Sequence, residues 1–199
     1  YWSARGKNLR QNMRKQRNKL NSEGIAVKMQ VLQERSQMAG AVALYGELES
    51  AGWKEQQGTA VHPDNAQGRF YRELLEHACQ YGGARVYQYL FDDRVVAMNI
   101  CVLRSGTLVV LKTTYDESIR TFSPAFLLRE TELQSFFSER KIRRVEYFGR
   151  LMDWHTKFTH ESRTLYHLTL HRWAIVKRLA AAKGAKGVNG ASPDQQSTP

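Results

Sequence analysis

The sequence predicts an α/β (α+β) fold, a mixed, mostly antiparallel sheet flanked by helices, and three observations carry that prediction. Strand-like runs at 84–91, 95–103 and 107–114 follow one another with only Asp92-Asp93 and Ser105-Gly106 to turn between them, as an antiparallel meander requires. A fourth strand-like run, 144–148, comes after a helical pattern at 126–140, and a helix between two strands of one sheet makes a parallel crossover. Helical patterns at 36–50 and 67–81 precede the meander and supply cover for its faces.

Each element has its own signal. Residues 1–24 carry seven basic side chains (Arg5, Lys7, Arg10, Arg14, Lys15, Arg17, Lys19) against one acid, Glu23, and Leu9, Met13 and Leu20 form a narrow stripe at helical spacing. This reads as a basic amphipathic helix stopped by Gly24, with its charge either solvated or turned to a partner. Ile25, Val27, Met29 and Val31 alternate along a strand at 25–32. The helix at 36–50 turns Met38, Val42, Tyr45, Leu48 and Glu49 inward and breaks at Ala51-Gly52-Trp53; polar residues 54–65 form a loop. The helix at 67–81 turns Phe70, Leu74, Leu75 and Ala78 inward and stops at Gly82-Gly83. After the crossover helix, with Leu127, Leu128, Thr131, Leu133, Phe136 and Phe137 along it, and the strand at 144–148, residues 149–163 read as irregular or a short helix. A strand at 164–171 and a helix at 172–183 complete the domain, and 184–199, almost without apolar content, is expected to be disordered.

The 199 residues suffice for one sizeable domain, and 42% hydrophobic with 25% charged residues is an ordinary globular balance. No apolar run approaches the ~20 residues of a membrane span, and no apolar segment behind Tyr1-Trp2-Ser3-Ala4-Arg5 resembles a signal peptide. The missing initiator Met suggests a fragment, expected to be the C-terminal part of a larger protein. Two cysteines, Cys79 and Cys101, are too few for a disulfide framework or a zinc site, and buried free thiols fit a cytoplasmic location. The net charge of +11 predicts an anionic partner: nucleic acid, a phosphorylated cofactor or a membrane surface.

The stretch between the third strand and the crossover helix, T-Y-D-E-S-I-R-T-F-S-P-A-F from Thr114 to Phe126, concentrates the functional signal. Ser123 suits an N-cap and Pro124 the first helical position, which leaves the amides of Ala125 and Phe126 pointing out of the positive end of a helix. Arg120 adds a mobile charge. The plainer alternative is a well-capped crossover helix with nothing against it.

Strand, loop with Arg-x-x-[Gly]-x-[Gly/Ala], then helix resembles the acyl-CoA pyrophosphate motif of the GNAT acyltransferases. Arg120 and Ala125 match its fixed positions, and Ser123 stands where the family usually has Gly. That departure resembles the branch that includes the CelD-like cellulose-biosynthesis proteins and the FemAB-like transferases. The similarity extends over S-A-R-G-K-N-L-R-Q-N-M-R-K-Q-R-N-K-L (3–20), L-E-S-A-G-W-K (48–54), G-T-A-V (58–61), F-Y-R-E-L-L (70–75), D-R-V-V-A-M (93–98), L-K-T-T-Y-D-E (111–117) and S-P-A-F-L-L (123–128), roughly residues 1–173.

The resemblance implies a GNAT-like acyltransferase domain at 1–183 and acetyl-CoA or another acyl-CoA as donor. The third meander strand and the next parallel strand would splay to admit the pantetheine arm, with Leu111, Lys112, Thr113 and Thr114 offering backbone groups. Arg120, Ser123, Pro124, Ala125 and Phe126 would hold the pyrophosphate, and a backbone N–H near Lys112–Thr114 would stabilise the oxyanion. The chemistry then needs positioning, a base and an acid for the thiolate. Asp116, Asp153 and His155 are base candidates, His155 for its ordinary pKa. Tyr115 could protonate the thiolate. Tyr147, Trp154 and Lys157 are candidate acceptor contacts. The acceptor implied is an amine or hydroxyl of an amino sugar or a polysaccharide or cell-envelope precursor.

Other chemistries find less support. His167 and His171 on a strand would lie ~13 Å apart, too far for one metal ion, and His155 and His160 lack ligand spacing. No P-loop, Gly-x-Ser-x-Gly or Cys-His signature occurs, so no metal or nucleotide-hydrolase chemistry is expected. The basic helix at 5–19, Arg140–Arg144 and Arg172–Arg178 suggest two alternatives: an aminoacyl-tRNA-dependent transferase of the FemAB type, or a non-catalytic module that meets anionic lipid in a polysaccharide synthesis complex.

Overall fold

The computed structural model describes residues 1–50 and 61–166. The chain divides into two units, Tyr1–His160 and Glu161–Pro199. The first holds all the regular structure described: α1 (Lys7–Ser22), β1 (Val27–Leu32), α2 (Arg35–Ser50), α3 (Ala66–Ala78), β2 (Ala84–Phe91), β3 (Arg94–Arg104), β4 (Thr107–Tyr115), α4 (Pro124–Glu139), β5 (Arg144–Tyr147) and α5 (Asp153–Thr156). In the second unit, residues 161–166 adopt no regular element. The rest of the expected strand at 164–171, the helix at 172–183, the tail, the break at 51–53 and most of the loop at 54–65 lie outside the described residues.

The sheet has the order β1-β2-β3-β4-β5, antiparallel through β4 and parallel between β4 and β5, as the crossover demands. The β3–β4 turn puts Ser105 and Gly106 at φ of 50° and 78°, the doubly left-handed geometry that suits the twist of a tight hairpin.

Helices cover both faces. Met38, Ala41, Val42 and Tyr45 of α2, with Leu75 and Ala78 of α3, pack on Ala84, Val86, Met98 and Ile100. Leu9, Met13 and Leu20 of α1 and Leu127, Leu128 and Phe136 of α4 pack on the other face against Tyr87, Tyr89, Cys101, Leu108 and Val110. The narrow apolar stripe of α1 is therefore a docking stripe. The Ile25 N–H reaches back to the Leu20 carbonyl (3.0 Å) and Gly24 takes φ of 71°, which closes the end of this helix.

On α3 the buried line is Gly68, Leu75 and Ala78, with Tyr71 half-buried. Phe70, expected inside, is 57% exposed and meets Tyr71 edge-on at 5.2 Å. Gly68 explains the rotation. A Cβ there would collide with the His62 carbonyl, as one at Gly46 would with that of Val61, so the two glycines let the chain entering α3 lie against both helices.

Candidate active site

The site begins with a bulge. Ile100 pairs with Lys112 but Cys101 pairs with Val110, so Leu111 is an extra residue in β4. A bulge turns the strand and exchanges its faces. Before it, Leu108 and Val110 face α4. After it, Thr113 faces α4, its Oγ1 accepting from Arg129 Nη2 (3.3 Å), while Lys112 faces α2 and pairs with Glu49 (3.5 Å). Pairing with β5 ends at the same place. The last parallel partners are Val110 and Tyr147, followed by the Phe148 N–H on the Val110 carbonyl (2.9 Å). Beyond Val110, β4 runs to Tyr115 without β5 beside it.

A cavity of about 330 Å³ opens where the strands part. Thr113, Thr114 and Tyr115 of β4, Ala125, Phe126 and Arg129 of α4, Leu48 and Glu49 of α2, Glu117, and Met152, Trp154 and Phe158 line it. Four residues expected from the sequence to hold the donor (Thr113, Thr114, Ala125, Phe126) and one expected proton donor (Tyr115) thus share one space with Trp154.

The start of α4 differs from expectation in detail. Ser123 occupies the N-cap position, but its side chain makes no capping bond; φ of 54° and ψ of 48° put it in the left-handed region, and its Oγ accepts from Asn12 Nδ2 of α1 (3.3 Å). This is the conformation glycine adopts most readily, a physical reason for glycine to serve at that position. The Phe126 N–H is not left over either, since it bonds the Ser123 carbonyl at 3.0 Å. The Ala125 N–H has no main-chain acceptor among the described residues. Arg120 sits exposed on the 3-10 turn Glu117–Phe122, and neither it, Ser123 nor Pro124 lines the cavity.

The three base candidates lie off the cavity. Asp116 is buried as the cap of that 3-10 turn: its carboxylate accepts from the Ser118 N–H (2.9 Å) and hydroxyl (2.6 Å) and pairs with Arg94, so its oxygens are committed. Asp153 is exposed at the first position of α5. His155 is buried with its ring stacked on Trp154 (3.6 Å between centroids), and its Nδ1 accepts the Met152 N–H at 2.9 Å. The same Nδ1 lies 3.2 Å from the Met152 carbonyl, so it is engaged with the Met152 main chain in either tautomer. Burial also lowers its pKa. Lys157 is exposed with its ammonium 5.2 Å from the Phe126 ring. Tyr147 lies beneath Arg129 rather than on the cavity wall. The carboxylates that do line the cavity are Glu49 and Glu117. Glu49 is held by the Val61 N–H (2.7 Å), the Tyr45 hydroxyl (3.4 Å) and Lys112.

Arg129 escapes sequence reasoning altogether. It is 3% exposed, with its guanidinium over Trp154 (4.4 Å), Tyr147 (4.7 Å) and Phe158 (5.8 Å), and no carboxylate pairs with it among the described residues. Burying an unpaired cation costs several kcal/mol, and cation–π contacts return about 0.5–2 kcal/mol each. Deeper still, Glu132 accepts from Asn99 Nδ2 (2.7 Å), and burial pushes its pKa up to about 7 against the opposing pull of Arg129 and Asn99. In sequence they form an Arg-Glu-x-Glu run, Arg129 to Glu132, between Leu127-Leu128 and Leu133. Among the described residues there is no group of three or more His, Cys, Asp or Glu that could hold a metal, and no helix long and apolar enough to cross a membrane.

In sequence, the profile of the "Acetyltransferase (GNAT) domain" family matches residues 7–156. No curated protein matches the chain. Two solved structures from uncultured soil metagenomic samples share the fold. One is the aminoglycoside acetyltransferase meta-AAC0020 in complex with sisomicin, at 14% identity and a TM-score of 0.51 over 73% of this chain and 97% of that one. The other is the aminoglycoside acetyltransferase HMB0005, at 10% identity and a TM-score of 0.50 over 73% of this chain and 99% of that one. At such identities the likeness is one of fold. The profile match, spanning the bulged β4, the turn at Ser123 and α4, is what places this chain in the GNAT acetyltransferase domain family.

Proposed function

We propose that this chain transfers an acetyl or other acyl group from a CoA thioester to an amine or hydroxyl of an amino sugar or polysaccharide precursor. The observation that carries the donor half is the stretch of β4 from Leu111 to Tyr115, which β5 leaves beside a cavity. The acceptor class rests on the sequence resemblance to the CelD-like and FemAB-like branch.

The residues present fit a CoA thioester, which supplies an acyl group already activated for attack. Peptide groups of Leu111–Thr114 are available to a pantetheine arm, and the Ala125 N–H, the positive end of α4 and Arg120 suit a pyrophosphate. In this reading the proton work falls to Glu117, as base for the acceptor, and to Tyr115, as acid for the thiolate, because both belong to the cavity wall. Asp116, Asp153 and His155 are set aside because they lie off that wall. A tight, dry fit around the reacting groups is the remaining contribution, made by Phe126, Trp154 and Phe158.

Calorimetric titration with CoA and acetyl-CoA tests this reading. Saturable micromolar binding is expected, and Arg120→Ala should weaken it about five- to tenfold, the scale of one exposed charge-assisted contact. Absence of binding to either compound removes the donor assignment; unchanged affinity in the variant removes Arg120 from it. A second reading, an anionic partner on α1, draws on the exposed Lys7, Arg10, Arg14 and Lys15. It predicts binding to tRNA or anionic vesicles that falls steeply with salt.

A further inference from the structure

We infer that the cavity selects a substrate carrying a carboxylate and that Arg129 is the residue that selects it. The inference rests on the acyl-transfer reading above and narrows it: the carboxylate belongs either to the acyl group or to the acceptor.

Three observations converge on Arg129. It lines the cavity, alongside groups that are aromatic, aliphatic or small hydroxyls for most of its wall. It is almost fully buried, and arginine keeps its charge at any physiological pH, so the site holds a permanent cation away from bulk water. Its hydrogen-bonding capacity is underused: Nη2 makes one long bond to Thr113 Oγ1, the Tyr147 hydroxyl is a further partner, and Nη1 has no acceptor among the described residues. The carboxylate one turn further along α4, Glu132, is engaged with Asn99 and makes no ion pair with it.

Rings fix the guanidinium in place. Trp154 and Tyr147 lie against it at 4.4 and 4.7 Å, which sets the plane of the fork. A planar fork of N–H donors in a pocket of low polarity matches a carboxylate, which accepts two parallel bonds, better than any neutral group. A plain acetyl group would leave those donors unmet, and a site built to bond a polar group discriminates against analogues that lack it. Glu49 and Glu117 on the same wall make no ion pair with Arg129 among the described residues, and Glu49 is held by Lys112, Tyr45 and Val61.

The test uses two matched pairs with the full chain. Succinyl-CoA and butyryl-CoA differ by a terminal carboxylate on the acyl group; β-alanine and propylamine, titrated in the presence of CoA, differ by one on the amine. In one of the two pairs the acid should bind at least tenfold more tightly than its neutral counterpart, and the pair that does so identifies the source of the carboxylate. Arg129→Met should erase that preference with the affinity for free CoA within threefold of the parent, and Arg129→Lys should keep part of it. Equal binding within both pairs, or a preference that survives Arg129→Met, overturns the inference and leaves Arg129 as a packing residue. If Arg129→Met does not fold, the parent pairs and Arg129→Lys decide the same question. Parent protein that binds CoA without preference overturns this inference alone; parent protein that binds no CoA removes the acyl-transfer reading with it.

Discussion

The two faces of the sheet bury their side chains in different chemistry. Against α2 and α3 the contact is largely aliphatic: Met38, Val42, Leu75, Ala78, Val86, Met98 and Ile100 are all 2% exposed or less, and Tyr45 and Glu49 are the polar groups that α2 buries beside them. Against α1 and α4, apolar residues of the same depth share the interior with Gln16, Asn99, Arg129, Glu130 and Glu132. Buried polar groups weaken a core unless something uses them. Most of the cavity wall belongs to the face that carries them, with Leu48 and Glu49 at the end of α2 closing it from the other side.

The sharpest way to break this division is to damage the dry face and watch the wet one. Leu75, fully buried between α3 and the sheet, is far from the cavity wall. Leu75→Ala should cost about 2–5 kcal/mol in urea unfolding, the range for a large-to-small change in a packed core. CoA affinity below the unfolding transition should stay within twofold. A parallel loss of affinity would mean that the two faces act as one unit and that the comparison is wrong.

The wet face makes its own prediction, in pH. Glu132 is fully buried and its pKa is raised by burial to about 7, above the 4.5 expected of the unfolded chain. A folded-state pKa above the unfolded one means that folding binds a proton between the two values. The contribution to stability is therefore present at acid pH and is lost as pH rises from about 4.5 through about 7. The ceiling on that loss is about 3 kcal/mol at ~1.4 kcal/mol per pH unit. Glu132→Gln keeps an acceptor for Asn99 and cannot ionise. It should be near-neutral at pH 5 and more stable than the parent by roughly 2 kcal/mol at pH 8, with part of the ceiling absorbed by relaxation around the charge. Identical pH profiles for the two proteins would show that Glu132 titrates as an ordinary surface acid.

The same contrast governs what the sequence made legible. Alternation and helical spacing reported the dry face and the strand order well, because burial there follows the periods of 2 and 3.6. The turn at Ser105-Gly106 and the stripe of α1 were legible for the same reason. The loop from Tyr115 to Phe126 stood out through its resemblance to a known motif, and Tyr115, Glu117, Ala125 and Phe126 of it line the cavity. Three features escaped. Phe70 looked apolar and inward, but the register of α3 is set by the close approach of Gly68 to His62, a long-range contact. The bulge at Leu111, which exchanges the faces of Lys112 and Thr113, leaves no mark in composition. Arg129 and Glu132 carry no signal in periodicity, and the packing of Arg129 against Tyr147 and Trp154 and the bond of Glu132 to Asn99 show them to be interior.

The smallest expected effect falls at the edge of the wet face, where α1 meets the start of α4. Ser123 holds a left-handed backbone, which costs a residue with a Cβ about 1–2 kcal/mol relative to glycine. Its hydroxyl returns part of that through Asn12, over a bond whose 3.3 Å length places it at the weak end of the usual ~0.5–1.5 kcal/mol. Ser123→Gly relieves the strain, loses the bond and gives the unfolded chain about 0.5–1 kcal/mol of extra freedom. Those contributions nearly cancel, so the variant should match the parent or exceed it by about 0.5 kcal/mol. Ser123→Ala keeps the strain and loses only the bond, so it should be the least stable of the three by a similar margin. Urea unfolding of the set reads both effects at once. If the alanine variant equals the parent, the tether between α1 and the loop contributes nothing. If the glycine variant falls below alanine, the left-handed turn is held by its surroundings rather than resisted by serine, and the turn is then part of the rigid wet face instead of its strained edge.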